Sequence, residues 1–140
     1  MSALLFRKLT EWFLRLSLSA AFLSAVADRF GLWGPNGTTN VAWGDWQHFA
    51  AYSGKLNWFL PVALHPILAW AATTAEIVFG VGLLVPKGTR WVALGSGVLL
   101  LIFGCAMVAA LGIKAPLNYS VFTAAAAAFA LAVLRAGQSS

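Results

Sequence analysis

The chain has 140 residues, which is room for one domain. Its composition excludes an ordinary soluble domain, because 61% of the residues are hydrophobic and 9% are charged, against roughly 25% charged residues in soluble proteins. The net charge of +5 does not indicate nucleic acid as a partner, because the nine Lys and Arg residues are scattered between apolar segments and form no basic stripe.

The long apolar segments predict an all-α integral membrane four-helix bundle. A helix needs about 20 apolar residues to cross a hydrocarbon core roughly 30 Å thick. The Ala- and Leu-rich segments do not alternate in polarity as the strands of a membrane barrel do. We therefore expect a single transmembrane domain over residues 1–140, with spans at about 12–30, 64–85, 90–111 and 119–134 and an external loop over residues 31–60.

The first span admits two interpretations. Its uncharged centre from Leu16 to Ala27 is short, but it is long enough if Arg15 extends toward the headgroups and Asp28 marks the far interface. The alternative is a cleaved signal peptide, because the A-x-A sequence at Ala25 to Ala27 precedes Asp28. A mature protein that begins at Asp28 would have three spans.

The external loop changes character along its length. Turn-forming residues dominate its first part, around Gly34 and Gly37. Trp46, Phe49 and Tyr52 then recur at near-helical spacing. This pattern predicts either a short helix in the membrane interface or a closed loop over the outer mouth of the bundle.

The last two turns are short, so the spans that they join should be antiparallel neighbours. Basic residues near the span ends predict the orientation. On one side lie Arg7, Lys8, Arg15, Lys87, Arg90 and Arg135. On the other side lie Arg29, Lys55 and Lys114. The excess on the first side predicts that both termini are cytoplasmic.

Glu76 is the residue that points most directly to a function. It lies midway along the second predicted span, where a charged carboxylate costs at least about 2.5 kcal/mol. It should therefore face the interior, be protonated or pair with a cation, and Arg15 is the partner predicted from its estimated depth. Such an acid can serve as a proton relay or as the anchor for a quinone-like ligand, or it can be a polar clamp between helices.

Three aromatic residues of the outer side are candidate ligand-binding residues. His48 lies in the loop and His65 at a helix start, whereas a haem in a bundle is usually held by two histidines on facing helices at matched depth. These positions favour hydrogen bonding in the interface over haem or metal binding. Trp70 alone among the seven tryptophans falls within a span, where its ring can stack on an aromatic ligand.

Several segments resemble the DoxX family of small four-span bacterial membrane proteins. The segments that carry the resemblance are Leu14 to Leu18, Ala75 to Gly80 with Gly82 to Leu84, Gly88 to Arg90, and Gly112 to Ser120. The resemblance implies a bundle in the bacterial inner membrane with recurrent polar positions at Arg15, Glu76 and Arg90. The family takes its name from a small subunit of a thiosulfate:quinone oxidoreductase. Many relatives have a Gly and a Lys near the end of the first span, where this chain has Asp28 and Arg29.

The leading functional hypothesis is a small membrane subunit or accessory of a quinone- or sulfur-linked respiratory system, with its polar centre at Glu76. The alternative is a non-catalytic membrane scaffold or assembly factor, and a weaker third hypothesis is a small transporter. The sequence contains no self-contained catalytic site. Whether the protein is an enzyme is therefore left open, and a subunit of an oxidoreductase is the candidate enzymatic role. The expected partners are the lipid bilayer and other protein subunits or a second copy. No cofactor is evident from the sequence; a quinone is a candidate, and haem is disfavoured.

Overall fold

The computed structural model describes residues 1–138, and the regular structure in that range is helical throughout. The last two residues of the predicted domain lie outside it. The six α-helices are α1 (Ala3–Arg29), α2 (Trp46–Leu56), α3 (His65–Gly82), α4 (Thr89–Leu111), α5 (Lys114–Asn118) and α6 (Val121–Ala136), with a 3-10 turn at Val62–Leu64 before α3. The all-α class is confirmed.

Within residues 1–138, three helical segments are long and apolar enough to cross a membrane, namely Ala3–Arg29, Val62–Gly82 and Thr89–Leu111. The apolar helix α6 has 16 residues, or about 24 Å at 1.5 Å per residue. The fourth span therefore stays a prediction. Helix α1 begins well before the predicted start at residue 12, because Ser2 caps it by accepting a hydrogen bond from the backbone N–H of Leu5 and no helix-breaking residue follows.

The four long helices form a ring in which α1 packs against α3 and α6, and α4 packs against α6 and α3. Glycines allow the close approach of α4 and α6: a Cβ atom on Gly104 would lie 2.6 Å from the ring of Phe122, and one on Gly97 would lie 2.7 Å from the ring of Phe129. Such small residues are what lets membrane helices pack. The antiparallel α3 and α4 are joined by the short turn over residues 83–88.

The bundle has two distinct ends. At the first, which we call the terminal end, Arg7 donates to the backbone oxygen of Leu134, and Arg135 bonds to Glu11 and to the backbone oxygen of Pro86. The beginning of α1 and the end of α6 therefore lie together. The opposite end, the loop end, carries residues 31–64. Of the two structures predicted for this loop, the short helix is present as α2, and it packs against α1, α3 and α4. Which end faces the cytoplasm stays a prediction.

Candidate functional site

A cavity of about 1070 Å³ occupies the half of the bundle next to the loop end. Its walls come from α1, α2, α3, α4 and α6 and are mostly apolar, with a few polar side chains that include Arg29 and Glu76. Sites for small organic molecules typically have volumes of about 300–1,000 Å³, apolar walls and few polar groups. The cavity has the size and the lining of such a site.

A buried ion pair stands at the edge of this cavity. Arg29, the last residue of α1, contacts the carboxylate of Glu76 on α3 through its Nη1 atom, and the two side chains are 3% and 5% exposed. The same nitrogen donates to the hydroxyl of Thr73 at 2.7 Å, and Thr73 itself donates to the backbone oxygen of Ala69 at 2.9 Å. Thr73 lies one helical turn before Glu76, so both acceptors present themselves to Arg29 from one face of α3.

Aromatic rings cover the guanidinium group of Arg29. Its central carbon lies 3.8 Å from the ring centre of Phe49 and 5.3 Å from that of Trp43, which are cation–π distances. Among the residues that the structure describes, the Nε atom of Arg29 has no hydrogen-bond acceptor although it is buried. A buried donor without a partner is costly, and an oxygen acceptor that reached this nitrogen would remove that cost.

The neighbouring Asp28 holds the loop over the cavity. Its carboxylate accepts three backbone N–H bonds, from Ala42 and Trp43 at 2.8 Å each and from Gly44 at 2.9 Å. Gly44 has a φ of +78°, and a Cβ atom there would lie 2.2 Å from the backbone nitrogen of Asn36. The loop can therefore reach Asp28 only with glycine at this position, and Trp43 is placed beside Arg29.

The predicted pairing of Arg15 with Glu76 is wrong. Arg15 is buried near the terminal end, where its Nε donates to the backbone oxygen of Leu83 at 2.6 Å and its Nη1 lies 3.7 Å from Glu11. The cause is the register of the antiparallel helices: Ser19 on α1 bonds to Gly80 on α3 at 2.6 Å. Continued along both helices, this register places Arg15 level with about residue 84 and Arg29 level with about residue 70. The long side chain of Arg29, whose Cα lies about 21 Å along α1 from that of Arg15, extends back along α3 to Thr73 and Glu76.

The third predicted member of the polar centre, Arg90, also lies elsewhere. It is exposed at the start of α4, with its guanidinium carbon 5.3 Å from the ring centre of Trp91. It borders a surface depression at the terminal end together with Arg135. The proposed centre of Arg15, Glu76 and Arg90 is thus divided among three places, and only Glu76 borders the large cavity.

The two histidines have local partners, and only His48 borders the cavity. The ring of His48 contacts the carboxylate of Asp45, which caps α2. The pKa of Asp45 is lowered, chiefly because the backbone N–H of His48 donates to its carboxylate. The ring nitrogen Nε2 of His65 lies 3.0 Å from the backbone oxygen of Asn57. Within residues 1–138, no three potential metal-ligating His, Cys, Asp or Glu side chains group together.

Trp70 belongs to an aromatic stack between α2 and α3. Its ring centre lies 4.0 Å from that of Trp46, which in turn stacks on Phe30 at 5.7 Å. Trp70 is half exposed and is not part of the cavity wall. Its position indicates that it attaches α2 to the bundle, and the ligand-stacking role stays a prediction.

Sequence reasoning missed Arg29 and Asp28 as site residues, because it assigned both to the membrane interface. The available signal was the occurrence of two adjacent opposite charges directly after an apolar run. Arg29 was also counted among the charges that set the orientation. Arg29 is buried, but so is Arg15 on the other side, and leaving both out keeps the excess of basic residues on the side of the termini unchanged.

The comparisons with known proteins give one family. A family model described as "Methylamine utilisation protein MauE" matches residues 7–118. No curated protein and no solved structure matches. The match confirms the expectation of a small membrane protein family and gives no support to the narrower resemblance to DoxX proteins.

The ion pair yields a stability prediction. Arg29→Met leaves a buried carboxylate without its cation, which should lower the free energy of unfolding by about 3 kcal/mol or more. The double variant Arg29→Met/Glu76→Leu should recover most of that loss, because it removes both charges. Thermal unfolding in detergent measures these differences, with exposed Arg90→Met as the control that changes little. Additive losses in the double variant would contradict the pairing.

The loop attachment yields a second prediction. Asp28→Ala should speed hydrogen exchange at the amides of Ala42, Trp43 and Gly44 by roughly tenfold or more, because each loses a bond to a charged acceptor. Asp45→Ala is the matched control, since it should affect the first turn of α2 instead. Unchanged exchange at residues 42–44 in the Asp28 variant would show that other contacts hold the loop.

Proposed function

The chain belongs to the MauE family, and we propose that it is a membrane accessory protein of a redox system for methylamine utilisation. The matched segment, residues 7–118, extends from α1 through α5 and includes both members of the Arg29–Glu76 pair. Its long apolar helices suit the bilayer. The expectation of a membrane accessory of a redox system, made from the sequence, agrees with this family.

The cavity is the proposed binding site of a quinone, and the unpartnered Nε donor of Arg29 carries this proposal. A quinone presents carbonyl oxygens, which can accept from that nitrogen, on a flat ring, which can lie against Phe49 and Trp43. Glu76 keeps the guanidinium group oriented from the other side. A bound quinone would supply two-electron redox chemistry, and the carboxylate of Glu76 can hold a proton next to the quinone.

The charge balance of the site argues against methylammonium as the occupant. Of the two acids that line the cavity, Glu76 accepts no backbone N–H bond, and its charge is already neutralised by Arg29. Asp28 is engaged by three backbone N–H groups. A cationic amine would have to displace Arg29 and leave that guanidinium buried without a counter-charge, which is costly. An uncharged ligand with an oxygen acceptor meets no such penalty, so a transporter of methylammonium is disfavoured.

The quinone site predicts a loss of affinity in Arg29→Lys. Lysine keeps a cation for Glu76 but lacks the Nε donor, so quinone affinity should fall by roughly tenfold or more. Equilibrium binding of a short-chain quinone to the purified protein in detergent measures the change, and Arg90→Lys is the control. If Arg29→Lys binds quinone as tightly as the wild type, the quinone site is wrong and the scaffold hypothesis gains support.

The accessory role is tested separately in cells. Removal of this chain from its host should abolish growth with methylamine as the sole nitrogen source, while growth on ammonium continues. Expression of the wild-type chain or of Arg90→Lys should restore growth. Normal growth on methylamine without the chain would contradict a role in methylamine utilisation, whatever the protein binds.

A further inference from the structure

The wall of the cavity has a gap between α1 and α6. On α1, Ala21 and Ser24 line the cavity and are nevertheless exposed at the protein surface. On α6, Val121 and Ala124 line it from the other side and are only partly buried. Wall residues with this much accessible surface indicate that the cavity is open along this seam, and we call the opening the lateral portal.

The portal exists because α1 and α6 approach each other at the terminal end. There, Arg7 bonds to the backbone of Leu134, Arg135 lies 3.1 Å from Glu11, and Leu18 shares a buried core with Leu131. Nearer the loop end, the facing residues of the two helices line the cavity instead. Small side chains at both edges, such as Ala21 and Ala124, leave the passage wide.

The opposite seam, between α3 and α4, is covered differently. Ala71 and Ile102 border the cavity there and are also exposed. However, α2 packs against both α3 and α4 and so bridges that seam at the loop end. The seam between α1 and α6 is therefore the wider candidate entrance.

The depth of the portal places it at the hydrocarbon of the bilayer. The indole nitrogen of Trp33 donates to the hydroxyl of Ser24 at 3.1 Å, and an exposed tryptophan of a membrane protein typically lies at headgroup level. Ala21 is one helical turn closer to the membrane centre on α1, which is a candidate span. Lipid chains, and not water, would then stand in front of Ala21.

We propose that the occupant of the cavity is a lipid-soluble molecule that enters from the bilayer through the lateral portal. Its acceptor-bearing head lies at Arg29, and its hydrocarbon chain leaves between Ala21 and Ala124. One molecule can extend from Arg29 to the portal, because Ala21 and Arg29 are eight residues apart on α1, or about 12 Å. The identity of the head as a quinone rests on the proposed function, whereas entry from the bilayer rests on the portal.

The portal is tested by narrowing it. Ala21→Trp, in vesicles, should slow the uptake of a long-chain quinone dissolved in the bilayer by roughly tenfold or more. Uptake of a tail-less quinone added from water should be unchanged. Ala20→Trp is the matched control, because Ala20 is also exposed on α1 but does not line the cavity. Ala21→Leu provides a smaller obstruction, with an intermediate effect, should the tryptophan variant fail to fold.

A second readout does not depend on quinone. Met107 lines the cavity and is 5% exposed, so a phospholipid with a photoreactive acyl chain can label it only from inside. Wild-type protein should be labelled at Met107 in vesicles, and Ala21→Trp should not. Labelling of Met107 without any quinone binding would uphold the portal and overturn the quinone site. Equal uptake and equal labelling in wild type and Ala21→Trp would overturn the portal.

Discussion

The buried ion pair between Arg29 and Glu76 is the interaction on which the interior depends. Two charges taken from water repay their desolvation only when their contact and their remaining hydrogen bonds are good, and here Thr73 supplies a further acceptor. The pair joins the end of α1 to the middle of α3 and so holds the register of these helices. Asp28, the residue next to Arg29, holds the loop over the cavity.

The pair also shapes what the cavity can accept. Because the two charges cancel, the site offers neither a free anion nor a free cation. Two buried atoms of the pair have no hydrogen-bond partner among the described residues: Glu76 Oε2, which contacts Arg29 Nη1, and the Nε donor of Arg29. The surrounding wall is apolar and opens sideways at Ala21. An uncharged ligand head with an oxygen acceptor can accept a hydrogen bond from this donor. A hydrocarbon chain attached to that head can lie along the apolar wall and pass through the opening.

Much of this architecture was predictable from local patterns. Apolar runs of sufficient length predicted the helices, and aromatic periodicity gave a short helix at α2 as one of two alternatives. The cost of a charge in hydrocarbon predicted that Glu76 is buried. The partner of Glu76 was not predictable, because Arg15 and Arg29 lie on the same helix and nothing in their spacing specifies the register against α3. The assignment of Arg29 to the interface was wrong for the same reason.

The sequence by itself determined the class of the protein, the order of its helices and the need to neutralise one buried acid. These properties follow from composition and from periodicity along a single segment. The tertiary structure alone decided that Arg29 meets that acid, that Asp28 holds the loop, and that α1 and α6 leave a gap at Ala21. Each of these depends on how two helices are placed against each other, and a linear pattern does not encode that placement residue by residue.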